Sequence, residues 1–157
     1  MEVTVIRSAR RTRTAQARMV DGHLEVRIPA RSSRAEEERL VRHFRERYAR
    51  AADAEAVDLT ERAASLARRY DLPEPREIRW VANQRHRWGS CTPETGVVRL
   101  SDRMAGFPGW VIDHVIVHEL AHLAVAHHGP EFRALVDRYP LAERAEGYLI
   151  AKAETVS

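Results

Sequence analysis

The sequence predicts an α+β fold in one piece, and three observations carry that expectation. Two N-terminal segments, Val3 to Val5 and Leu24 to Ile28, alternate apolar and polar residues as half-buried strands do. Later stretches carry apolar stripes at helical spacing, with two short strand-like runs set among them. The length of 157 residues suits one domain better than two, and is enough to bury a core without staples.

In chain order, Asp21-Gly22 between Met19-Val20 and His23-Leu24 is a hairpin-turn signal, and Pro29 ends the second strand. Ser33 followed by Glu36 fits a capping box that opens a helix with Leu40, Val41, Phe44 and Tyr48 on one stripe. Asp58 with Glu61 starts a second helix, whose apolar face is Leu59, Ala63, Leu66, Ala67 and Tyr70 and whose stop is Asp71-Leu72-Pro73. Ile78 to Val81 and Val97 to Leu100 read as short strands, joined by a loop that contains Arg87-Trp88-Gly89-Ser90-Cys91 and Pro93. A third helix starts after Pro108-Gly109 and runs to about Ala126, before the stop signal Gly129-Pro130. Phe132, Leu135, Val136 and Tyr139 outline a short helix closed by Pro140, and Leu141 to Ala153 forms the last one.

Composition narrows the function. The lone cysteine, Cys91, cannot form an intramolecular disulfide, which excludes a disulfide-built scaffold. The start MEVTVIRSARR lacks the apolar run of a signal peptide. The most apolar stretch, Trp110 to Ala126, carries Asp113, three histidines and Glu119, so it is no membrane span. The expectation is a cytoplasmic protein with no membrane partner. The net charge of +3 is too small to point to a partner by itself. Histidine is more telling: five of the eight fall between His114 and His128.

The sharpest signal is His118-Glu119-Leu120-Ala121-His122. On a helix the two histidines share a face one turn apart, so both imidazoles reach one cation. Glu119 lies beside that face, where it can hydrogen-bond a metal-bound water as a general base without ligating the metal. Zinc would lower the pKa of that water to about 7. Apolar neighbours (Val111, Ile112, Val115, Ile116, Val117, Leu120, Leu123) imply burial, and buried polar groups need a partner that a metal provides. A third ligand leaves one position open for water. A continuing helix returns neither His127 nor His128 to the shared face, so the helix must end near Val125 and the chain turn back. His128 is favoured there, with His127 as a rim residue or the alternative ligand. His114 has no acid after it and reads as a packing or supporting residue.

With Arg87-Trp88-Gly89-Ser90-Cys91, Ile112-Asp113, Val115 to Leu123 and His128 in this order and spacing, the chain resembles the YgjP-like metal-dependent hydrolases, grouped with WLM and SprT-like zincins. The N-terminal Arg-rich strand, Ile28-Pro29-Ala30-Arg31 and the Ser-capped helix extend the resemblance over nearly the whole chain. It implies one YgjP-like metallopeptidase domain over residues 1–157, with an N-terminal hairpin region at 1–30 and a catalytic core at 76–139. The implied fold is zincin-like: a small, mostly antiparallel sheet whose N-terminal β-hairpin packs on the active-site helix, with further helices. It also implies His118, His122 and His128 as ligands of one Zn2+ per chain and Glu119 as catalytic acid/base. Ser101, His114 and His127 depart from the family's usual Asn, Tyr and Asn, which leaves the rim of the site open.

The implied activity is a zinc metallopeptidase acting on a peptide or protein. The alternatives are a nucleotide (UTP-type) pyrophosphatase using the same metal, and a SprT-like protease recruited to nucleic acid by Arg7, Arg10, Arg11, Arg13 and Arg18. No Gly-rich phosphate loop or acidic Mg2+ cluster supports the pyrophosphatase. Asp113 reads either as a residue orienting a ligand histidine or as a helix N-terminal acid, and Glu131 has the same two readings. Arg87 reads as a contact for an anionic substrate or the developing oxyanion, or as a structural ion-pair partner. Cys91, Tyr139 and Tyr148 read as packing residues. The strand Val97 to Leu100 is a candidate edge for an extended peptide.

Overall fold

The structure, a computed structural model, describes residues 1–154. The chain divides into two compact units, Met1–Ala52 and Asp53–Ser157.

In the first unit, β1 (Val3–Ser8), β2 (Gln16–Val20) and β3 (His23–Pro29) form a sheet in the order β1-β3-β2, followed by all but the last three residues of α1 (Arg34–Glu55). β2 and β3 make the expected hairpin, with Asp21 at φ 46° and Gly22 at φ 82°, both in the left-handed region that a tight two-residue turn requires. β1 pairs with β3 in parallel, placing Val3 and Val5 opposite Leu24 and Val26. The sheet is therefore mixed, not mostly antiparallel: alternation tells which residues face inward but is blind to strand direction. Leu24, Val26 and Ile28 are fully buried, with Phe44, Leu40 and Tyr48 of α1 among the residues packed around them. The capping box forms as expected, Ser33 Oγ accepting from the Glu36 N–H at 3.1 Å and Glu36 Oε2 from the Ser33 N–H at 2.8 Å.

The second unit holds α2 (Leu59–Tyr70), β4 (Glu77–Val81), β5 (Gly89–Thr92), β6 (Val97–Ser101), α3 (Gly109–Ala124), α4 (Pro130–Val136) and α5 (Ala142–Glu154). Asp58 caps α2, and Asp71 closes it in the left-handed conformation. The second sheet runs β4-β6-β5, with β4 parallel and β5 antiparallel to β6, so it too is mixed. β5 is a strand where the sequence suggested loop. Gly-Ser-Cys-Thr has neither length nor alternation to announce itself, and its conformation comes from pairing with β6. Because β6 is central, Val97 to Leu100 is no edge, which overturns its reading as a peptide-docking strand.

Arg103 holds the segment before β5. Its guanidinium donates to the Gln84 and Arg87 carbonyls and lies 4.4 Å from the Trp88 ring centre. α3 touches α2, β5, β6, α4 and α5. That central position explains its apolar surface on nearly every side, and Val111, Ile116, Val117, Leu120 and Ala121 are completely buried. No described helix is long and apolar enough to cross a membrane.

Candidate metal centre

His118 and His122 sit one turn apart on α3. The helix then ends at Val125, whose backbone turns extended (φ −135°, ψ 115°) while its N–H still bonds the Ala121 carbonyl. Gly129 is also extended, and Pro130 opens α4 at a position where a missing N–H costs nothing. This reversal returns His128. One nitrogen from each of His118, His122 and His128 lies within 4.8 Å of the others. His127 is exposed and outside the cluster.

The surroundings prepare these imidazoles. His122 Nδ1–H donates to the Val125 carbonyl at 3.2 Å, which leaves Nε2 with its lone pair directed elsewhere. His128 Nε2 is 2.8 Å from His122 Nε2. Phe132 of α4 stacks on His122 at 4.3 Å between ring centres and meets His118 and His128 edge-on or tilted, each at 4.9 Å. Burial, aided by the neighbouring histidines, pushes the His118 pKa down to about 3, so its ring stays neutral as ligation requires. Burial also lowers that of His122, against the pull of the Val125 and Ala126 carbonyls. Three imidazoles converging on one point form a donor set that fits zinc.

Glu119 is 5% exposed. Burial raises its pKa to about 7, against the lowering effect of the Arg87 charge. Gly89 of β5 lies against it: a Cβ there would come within 3.2 Å of Glu119 Oε1 and 3.0 Å of Val115 Cγ1. Side-chain loss at Gly89 is what lets the strand approach the helix. Sequence reading missed this role because Gly89 opens a stretch that read as loop, where a glycine does not signal a close approach. It also missed the carbonyl of Val125, which no side-chain pattern reveals.

The other candidates divide. Asp113 has no hydrogen bond to a histidine among the described residues; it forms an ion pair with Arg62, tying α3 to α2. Glu131 is exposed in the first turn of α4 and has no hydrogen bond to His128 among the described residues. Tyr139 donates to the Trp110 carbonyl at 2.7 Å, and burial holds its pKa up at about 12. Tyr148 packs against Phe107 and Trp110. Arg87 is exposed and borders the same pocket as Glu119. Of the N-terminal arginines, Arg7 is engaged by Glu37, Arg11 by Gln16 and Arg18 by Glu25.

Comparison with known proteins places this geometry in context. Residues 5–149 match the family model described as "YgjP-like, metallopeptidase domain". Among solved structures, the metallopeptidase zymogen abylysin of Pyrococcus abyssi is similar at 16% identity and a TM-score of 0.53, over 59% of this chain and 91% of that one. The zymogen jannalysin of Methanocaldococcus jannaschii is similar at 20% identity and a TM-score of 0.53, over 61% and 97%. No match was found among curated protein sequences.

Proposed function

Because this chain belongs to the YgjP-like metallopeptidase family, as the match over residues 5–149 shows, we propose that it is a zinc-dependent peptidase whose ligands are His118, His122 and His128. The observation that carries this reading is the convergence of three ligand nitrogens within 4.8 Å beside a buried glutamate. The family match runs through both compact units, which supports reading residues 1–157 as one YgjP-like domain in which 76–139 is the catalytic core.

When bound, zinc supplies a Lewis acid that polarises the scissile carbonyl and acidifies water. Glu119 accepts the proton of the attacking water and passes it to the leaving amine. A carboxylate with a pKa near 7 is matched to both transfers. His122 is held in the ligating tautomer by Val125, and Phe132 fixes the ring planes. The substrate backbone lies along β5, the edge strand beside Glu119, in the role the sequence had suggested for β6. A peptide is favoured over a nucleotide by the family's own description.

The test is elemental analysis of the purified protein beside His118→Ala, followed by incubation with an unstructured protein substrate. About one zinc per chain, lost in the variant, with cleavage by the parent only, is the expected result. A metal-free parent whose folding ignores chelators overturns the reading.

A further inference from the structure

The pocket next to Glu119 contains polar groups for which the peptide-cleavage scheme has no use. His118 and Glu119 border one part of this space of about 510 Å³, within the range of about 300–1,000 Å³ usual for ligand pockets. Trp88, Val115, Leu149 and Ile150 make its sides largely apolar. Ile150 is 62% exposed, whereas His114, also lining the pocket, is 3% exposed, so the space runs from an open apolar rim to a buried imidazole.

Among the described residues the His114 ring makes no hydrogen bond: Nδ1 is buried and unpartnered, and Nε2, the nitrogen on the Glu146 side, stands 4.0 Å from Glu146 Oε1, too far for a direct bond. Glu146, another lining residue, is held by Arg133, whose Nη1 donates to Oε1 at 2.7 Å and whose Nη2 reaches Oε2 at 3.4 Å. The carboxylate is thereby fixed in place, yet each oxygen keeps a lone pair to offer.

We infer that this pocket receives a tyrosine side chain of the substrate, from a residue next to the scissile bond, with the phenolic hydroxyl bridging His114 and Glu146. An oxygen about 2.8 Å from both of two atoms separated by 4.0 Å subtends roughly 90°, which one hydroxyl satisfies by accepting from the His114 Nε2–H and donating to Glu146 Oε1. The ring then lies between Trp88, Val115 and Leu149. Phenylalanine fits the walls but leaves the polar pair unbridged. An acidic side chain meets the Glu146 charge, and a basic one meets Arg133, which already neutralises it. The identity of the substrate rests on the peptidase reading, whereas the preference for a phenol rests on the pocket alone.

The experiment titrates the 157-residue chain, as purified, with p-cresol and with toluene, following the methyl resonances of Val115, Leu149 and Ile150. The expected result is p-cresol binding about tenfold more tightly than toluene, although water solvates it better, because a site built for a hydroxyl penalises the analogue lacking one. His114→Phe and Glu146→Leu, which remove the donor and the acceptor respectively, should each abolish that preference while toluene still binds. Toluene binding as tightly as p-cresol to the parent, or a preference that survives both variants, overturns the inference. Peptides differing only in Tyr or Phe beside the cleavage point provide the second arm. A phenol preference without any cleavage supports the subsite and counts against the peptidase reading alone. Cleavage with equal kcat/KM for both peptides overturns the subsite and leaves the peptidase reading standing.

Discussion

Glu119 and Cys91 are close enough to interact electrostatically, and burial raises both pKa values with different consequences. A carboxyl near pKa 7 exchanges protons at neutral pH, so Glu119→Gln should keep the zinc and lose catalysis by about 10²–10⁴-fold, the usual contribution of a general base. Elemental analysis beside kcat measurements checks this, and an active variant removes Glu119 from the mechanism. The Cys91 thiol is pushed up to about 11, first by burial and then by the Glu119 charge. Its thiolate is scarce at pH 8, so alkylation by iodoacetamide should run about a hundredfold slower than for an ordinary exposed cysteine, as followed by mass spectrometry. Rapid modification would mean that the thiol is not buried as described.

At the scale of elements, the centre depends on how α3 ends and α4 begins. His128→Ala should release zinc to a chelator that leaves the parent loaded, while His127→Ala should behave like the parent, because only His128 joins the cluster. Phe132 is 4% exposed and touches all three rings, so Phe132→Ala should cost about 3–5 kcal/mol of stability as well as zinc affinity. Urea unfolding and chelator competition measure the two effects separately. The approach of β5 to α3 has its own test. Gly89→Val should impair turnover by pushing the strand away from Val115 and Glu119, while the three histidines still hold zinc. Parent-like turnover would mean that β5 does not position the substrate.

For the whole molecule, one prediction concerns the first compact unit. Glu25 is 9% exposed and accepts from Arg27 and Arg18 at 3.0 and 3.1 Å, and these bonds lower its pKa in the folded state. Such a group stabilises the fold above its unfolded pKa, and the contribution fades as pH falls through the lower folded value. Glu25→Gln should therefore melt at a lower temperature than the parent at pH 7, with the gap closing as the pH falls below about 4. A gap independent of pH would assign the effect to packing.

The HELAH pattern, the Ser33/Glu36 capping box, the Asp58 cap and the Asp21-Gly22 turn were legible in the sequence because each depends on residues within a few positions of one another. So was the need for α3 to stop near Val125 if His128 is to join His118 and His122, which follows from helical phase. Tertiary structure decided what depends on distant partners. β5 exists through its pairing with β6, β1 takes its direction from β3, and Asp113 is claimed by Arg62 of another helix. The pocket that brings His114 to Glu146 likewise joins side chains from two helices, α3 and α5. Local patterns specify periodicity and caps, because those interactions close within a turn or two of chain. Pairing direction and shared pockets are set only when remote segments compete for the same buried surface.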